Sequence, residues 1–301
     1  MTTLVWFIAQ ALLAAAAVAL SPRIARRPRP VWGAVCVLAF VVMLLWPAMR
    51  FFPATFVSVF GAPIVACTEL TGLAIPAGLL FGVAAHHVPR PSDRRAIRLL
   101  LVIAGAYFLN AGWWMVAPVV GFRAVPDLGP PRLRPDGVCM QSTDYTCVAA
   151  SMVTALHARG IDATETEMAR LAYTQVGGGA TDSRALWALQ RKLEGTGLAP
   201  RYLALDKAGL IAAEKPCLVQ LDWGFFLSHM VAVMHADETT VVLGDPLEGR
   251  RELTWDRFLA RWKGQAIVIE PQTKPGSAPP RPQPAPPPPT AAGSATRSSD
   301  P

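Results

Sequence analysis

"QSTDYTCVAASMVTALHARG", residues 141–160, places a cysteine where a polar loop gives way to an apolar run. Asp144 reads as the N-cap and Gly160 as the stop. Between them apolar residues occupy more than one face, which predicts a buried helix. Cys147 then falls near the third helical position, where unpaired backbone N–H groups and the positive end of the helix dipole favour thiolate over thiol. Free cysteines are more often small buried hydrophobes than nucleophiles. A functional reading therefore needs other residues.

Downstream, helices come first and strands later. Thr164 with Glu167 three positions on is a capping box that opens a second helix. Thr181 or Asp182 caps a third. The period then changes: "RYLAL", "CLVQLD", "HMVAVM", "TVVLGD" and "QAIVIE" read as strands, with one helix, "TWDRFLARW", before the last. Helices segregated before an antiparallel sheet predict an α+β domain over residues 137–270.

A thiolate needs a proton manager, and the chain has five histidines. His86 and His87 border an apolar segment. His157 lies about 15 Å along the helix from Cys147 at 1.5 Å per residue, out of hydrogen-bond range. His229 and His235 remain, flanking "MVAVM" on one strand. In "HMVAVMHADETTVVLGDP" (229–246) a three-residue hairpin loop centred on Asp237 sets His229 directly opposite Asp245, with Cβ atoms roughly 5 Å apart. His235 sits at the turn beside local acids. Gln141, in the loop ahead of the helix, can donate its amide to a developing oxyanion beside the Cys147 N–H.

The other half of the chain is apolar. Hydrophobic residues make up 52% of the sequence, and the excess lies before residue 121. Four windows approach or exceed the roughly 17 to 25 residues of a membrane helix: Leu4–Leu20, Val31–Met49, Phe56–Ala85 and Ile97–Val120. Pro63, Glu69 and Pro76 interrupt the third, which reads as a re-entrant or interfacial piece followed by one span, so three to four spans are expected. No basic residue precedes the first window, which makes it an anchor rather than a cleaved signal. Eight arginines (23, 26, 27, 29, 90, 94, 95, 98) fall in the loops on one side and four (50, 123, 132, 134) on the other. The first set is therefore cytoplasmic; in a bacterial inner or cell membrane, four spans place everything after residue 121 outside the cytoplasm, and three spans reverse this.

Residues 1–136 carry 12 basic and 4 acidic groups, whereas residues 137–270 carry 13 and 16. The basic pI is thus a topology signal, and a nucleic-acid partner, which needs a basic stripe on the soluble domain, is excluded. With no CxxC, zinc-spaced His/Cys cluster or GxxxxGK[ST], neither a metal, a cofactor nor an ATPase is expected. If the domain faces an oxidising space, Cys139 and Cys217 are expected to pair and leave Cys147 free. Residues 122–136 read as a linker and the proline-rich 271–301 as an extended, disordered tail.

Gln-x5-Cys opening an apolar helix, a strand beginning at His229, Asp245-Pro246 closing the next strand, and Phe258-x3-Trp262-x-Gly264 together resemble the bacteriocin-processing, double-glycine leader cysteine peptidases. The resemblance covers roughly residues 137–270. It implies a papain-like fold behind the membrane helices, Cys147 as nucleophile, His229 as general base and acid, Asp245 as the orienting residue and Gln141 as oxyanion donor. It also implies a peptide or leader-peptide substrate cut after small residues, and a separate export system as partner. The family's usual Asp-Cys-Gly is Thr146-Cys147-Val148 here, which sets a β-branched side chain beside the nucleophile. A thiol acyltransferase or amidase would keep the fold and thiol with another acceptor. A non-catalytic peptide-binding domain would not require the four groups. A transporter or receptor reading rests on Glu69 alone.

Overall fold

The computed structural model describes residues 2–45, 53–88, 90–116, 125–224 and 227–272. The N-terminal part is helical: α1 (Thr2–Ala25), α2 (Arg29–Leu45), α3 (Pro53–Phe60), α4 (Ala62–Thr71), α5 (Ala74–His87) and α6 (Pro91–Val116). The expected interrupted window, Phe56–Ala85, is divided among α3, α4 and α5, with Gly61 at φ +80° between the first two. The side chains of Cys67 and Glu69 lie outside the described residues. Among the described residues one helix is long and apolar enough to cross a membrane, Ile8–Ala25. α1 packs against α5 through small residues: Gly78 faces Val18 and Gly82 faces Ser21, and a Cβ on Gly78 would stand 3.1 Å from Val18 Cγ2. Gly-x3-Gly on one helix face is the pattern that lets two apolar helices approach backbone to backbone.

The C-terminal part follows the expected order. A short hairpin, β1 (Arg132–Leu133) and β2 (Cys139–Met140), leads into α7 (Cys147–His157), α8 (Glu165–Leu171) and α9 (Asp182–Lys192). Then come β3 (Leu198–Ala204), α10 (Lys207–Ala212), β4 (Cys217–Gly224), β5 (Leu227–Ala236), β6 (Thr240–Asp245), β7 (Gly249–Thr254), α11 (Trp255–Leu259) and β8 (Trp262–Pro271). Six strands form one antiparallel sheet in the order β3-β8-β4-β5-β6-β7. Helices before an antiparallel sheet are thus the observed arrangement. β7, whose charged "GRRELT" hides the alternation, and the short α10 were missed in the sequence.

Alternation along the strands divides the apolar side chains between two clusters, because successive residues face opposite sides of a sheet. Leu218, Met230, Ala232, Ile267 and Ile269 join Met152, Leu156, Met168 and Leu189 of the helices on one face. Cys217, Val219, Val231, Val233 and Val268 join Leu210, Trp255, Phe258 and Trp262 on the other. Cys139 belongs to the first cluster and Cys217 to the second, and both are free thiols. The expected Cys139–Cys217 disulfide is therefore not formed, since the sheet stands between the two. Burial pushes the Cys139 thiol up to about 12 and the Cys217 thiol to about 11.

Ala62 and Ala66 of α4 are part of the first cluster, beside α9. Met1–Pro271 accordingly forms one unit and Gln272–Pro301 a second. The expected disordered tail lies, beyond Gln272, outside the described residues.

Candidate active site

α7 begins at Cys147. The N-cap is Thr146, not Asp144, and it makes no side-chain cap bond to the helix. Its hydroxyl instead lies 3.0 Å from that of Thr143 and receives the Thr143 N–H at 3.2 Å, folding the preceding loop on itself. Cys147 is consequently the first helical residue rather than the third. At either position the residue lies among the first four N–H groups of the helix, which lack intrahelical partners.

Two contacts fix the loop that carries Gln141. Its backbone N–H donates to Pro246 O at 2.9 Å, tying it to the end of β6. Glu165, buried at the start of α8, accepts from both the Ser142 N–H (2.8 Å) and the Ser142 hydroxyl (2.6 Å). Nothing in the sequence marked Glu165 for this, since its partner lies 23 residues upstream. Gln141 Nε2 donates to Thr143 O at 2.6 Å, and its second amide hydrogen has no partner among the described residues. Gln141 Oε1 is buried without a hydrogen-bond partner among the described residues.

His229 and Asp245 are both buried, and His229 Nε2 lies 2.8 Å from Asp245 Oδ1. The hairpin joining them differs from the expected one. Glu238 and Thr239 form a two-residue loop closed by the Asp237 N–H on Thr240 O at 3.0 Å, and Asp237 Oδ1 accepts from the N–H groups of Thr239 and Thr240. His235 pairs with Val242, yet Val233 pairs with Leu243, so Met234 is the extra residue of a bulge. Continued in that register, Asp245 stands opposite Val231, and His229 meets it across a diagonal. Diagonal neighbours on one face remain within reach of a long side chain. The contact survives because both residues keep the same side of the sheet.

With Nε2 engaged by Asp245, Nδ1 is the ring nitrogen left for Cys147, which lies close enough to favour the imidazolium. Burial by itself disfavours the imidazolium. The bond to Asp245 and the nearby Cys147 outweigh it and raise the His229 pKa to about 9. Asp245 shows the converse balance: burial would raise its carboxyl, but hydrogen bonds from His229 and the Leu247 N–H hold it below the ordinary carboxylate value. His235 is exposed at the hairpin tip, 3.5 Å from Asp237 and remote from this group. The structure thus brings Cys147, His229 and Asp245 together, sets Gln141 in the adjoining loop and leaves His235 apart.

Three neighbours escaped the sequence reading. Trp223 lies over the His229 ring, centroid to centroid 4.3 Å. Arg251 Nη1 stands 3.7 Å from Asp245 Oδ2 and 2.8 Å from Glu248 Oε1. Glu165 is the third. Val148, expected to crowd the nucleophile, is instead buried in the first core cluster. A cavity of about 410 Å³ opens beside the imidazole, lined by His229, Asp245 and Trp223 among others. Among the described residues no group of three or more His, Cys, Asp or Glu is arranged to hold a metal.

Residues 137–274 match the sequence model of the Peptidase C39 family, so the resemblance seen in the sequence stands. Over 183 residues the chain is 26% identical to the probable functional amyloid protease FapD of Pseudomonas fluorescens, covering 58% of this chain and 79% of that one. It is 29% identical over 133 residues to an uncharacterized protein of Methanothermobacter thermautotrophicus, covering 44% and 87%. Among solved structures, the peptidase domain of Streptococcus ComA, a bi-functional ABC transporter, aligns at 22% identity and a TM-score of 0.40 over 44% of this chain and 96% of that one. A double glycine motif protease from an AMS/PCAT transporter, solved with its leader peptide, aligns at 19% and 0.39 over 48% and 95%.

Proposed function

We propose that this chain, whose residues 137–274 match the Peptidase C39 family, is a membrane-anchored cysteine peptidase that cuts a peptide after small residues. The observation that carries the proposal is the buried His229–Asp245 pair, bonded at 2.8 Å, with Cys147 at the start of α7 near enough to act on the imidazole. A nucleophile within reach of a base, itself oriented by a third group, is the arrangement covalent acyl transfer requires.

In this mechanism the Cys147 sulfur, its proton held on His229, attacks the scissile carbonyl carbon. Negative charge gathers on the carbonyl oxygen, where the Cys147 N–H and the free amide hydrogen of Gln141 stabilise it. The C–N bond breaks, its nitrogen takes the proton from His229, and a thioester remains on Cys147. His229, now neutral, accepts a proton from water as the hydroxyl attacks the thioester, which releases the acid and restores the thiol–imidazole pair. Asp245 holds the ring so that Nδ1 faces the sulfur throughout, and Trp223 covers its flank.

α1, the other apolar helices and the Gly78-x3-Gly82 crossing support an N-terminal membrane region of three to four spans, and the arginine distribution supports a peptidase domain outside the cytoplasm. Residues 137–270 then work at the membrane face, on a peptide delivered by a separate export system.

The test uses the full chain in detergent with synthetic peptides containing an internal Gly-Gly, read by mass spectrometry. Wild type should cleave after the pair. His229→Ala should lose about 100- to 10,000-fold in rate, the usual contribution of a general acid–base, and Cys147→Ala should be inactive. His235→Ala should retain the wild-type rate. Equal loss from both histidine variants, or cleavage by Cys147→Ala, would reject the proposal.

A further inference from the structure

The cavity beside His229 has a charge pattern that the proposed chemistry does not use. Its floor is apolar, formed by Leu221, Leu243 and Leu253, and its rim carries Arg251, Arg257 and Arg261. Two of the rim charges are accounted for. Arg251 is paired with Glu248 and Asp245, and Asp222, the other rim acid, is paired with Lys263 at 2.6 Å. Among the described residues, Arg257 and Arg261 form no ion pair.

These two guanidiniums issue from well-anchored backbone. α11 is held by buried Trp255 and Phe258, and buried Trp262 follows it. Asp222 N–H donates to Arg261 O at 2.9 Å, and Arg261 N–H to Phe258 O at 3.0 Å. Arg257 lies on α11 and Arg261 in the turn that follows it, and both line the same opening. Solvated surface arginines are common, but two that form no ion pair among the described residues, over an apolar-floored cavity whose carboxylates Asp245 and Asp222 are already paired with His229 and Lys263, are matched best by an anionic group on a short apolar stem.

Position decides which part of a substrate this is. His229 lines the cavity and Cys147 does not. His229 gives its proton to the departing amine, so the cavity lies on the side of the segment that leaves first. We propose that this cavity binds a carboxylate of the peptide segment on the C-terminal side of the scissile bond, held by Arg257 and Arg261. The assignment to that segment rests on the peptidase reading.

The experiment uses the full chain in detergent and pairs of synthetic Gly-Gly peptides that differ only by Glu or Gln in the first residues after the pair. A second set ends a few residues after Gly-Gly as free acid or amide, which separates a side-chain carboxylate from a terminal one. At low peptide concentration the acidic member of one set should be cleaved roughly tenfold faster, as charge-assisted bonds to guanidinium allow. In R257Q/R261Q that ratio should fall toward one. In parallel, each peptide is tested for protection of Cys147 against iodoacetamide. If no peptide is cleaved but the acidic ones protect Cys147, and R257Q/R261Q abolishes that protection, the carboxylate site stands and the peptidase reading falls. Cleavage without acid preference, a preference unchanged in R257Q/R261Q, or no preference in either assay would overturn the site.

Discussion

At the scale of single residues, His229 is a group whose charge the surroundings control. Its pKa moves from an ordinary 6.5 to about 9, against the pull of burial, because Asp245 and Cys147 both favour the imidazolium. A pKa raised on folding means that the folded state binds the proton more tightly than the unfolded one. The stability this contributes is complete below about 6.5 and is lost as pH rises through about 9. Asp245→Asn removes the charge partner, so the melting-temperature gap between wild type and variant should be widest in mild acid and should narrow across that window. A gap that stays constant, or widens toward alkaline pH, would show that Asp245 does not hold the imidazolium. Cys147, His229, Asp245 and Gln141 were legible as a set because the chain offers so few histidines that distance and strand position eliminate the others. Glu165, Trp223 and Arg251 were not legible. Each acts through a partner that folding brings near, and none lies in a local pattern.

Elements were legible wherever one face is buried. Thr164 accepts the Glu167 N–H at 3.1 Å, as half of the expected capping box, while the Glu167 carboxylate turns to Lys192 at 2.7 Å. The hairpin was read two residues out of register: the turn lies at Glu238 and Thr239 rather than at Asp237, which shifts the pairing by three, and the bulge at Met234, unmarked in a run of apolar residues, takes one back. Phe258-x3-Trp262-x-Gly264, which carried part of the family resemblance, is a structural device: Phe258 and Trp262 are buried in the second cluster. Gly264 has φ +76°, its carbonyl receives the Leu205 N–H at 2.7 Å, and a Cβ on it would stand 2.9 Å from Leu205 O. Gly195 has a similar φ of +79° but open space around it. Gly264→Ala should therefore destabilise the protein by about 1–3 kcal/mol more than Gly195→Ala, the usual range for forced overpacking. Thermal unfolding of the two variants measures this, and equal losses would remove the close contact from the account.

On the scale of the whole molecule, the division into an apolar helical half and an α+β half follows from composition, yet the two halves share a core through Ala62 and Ala66. Within the helical half the Gly82–Ser21 approach sets how closely α1 and α5 pack. Gly82→Leu should cost about 1–3 kcal/mol through overpacking and lower the melting temperature in detergent. Gly33→Leu, at a position with nothing within 4 Å of a new Cβ, should leave it nearly unchanged. Equal effects would place the helix crossing elsewhere. By itself the sequence determined the order of helices before strands and the buried helix behind Cys147, and it nominated the four candidate groups. These depend on periodicity, capping and residue type, which are local properties. Tertiary structure alone decided that Cys139 and Cys217 lie on opposite faces of the sheet, that His229 reaches Asp245 across a diagonal, that Val148 turns into the core, and that unpaired arginines rim the cavity beside the imidazole. Those outcomes depend on register and on contacts between distant segments, which the sheet fixes only when its strands are laid side by side.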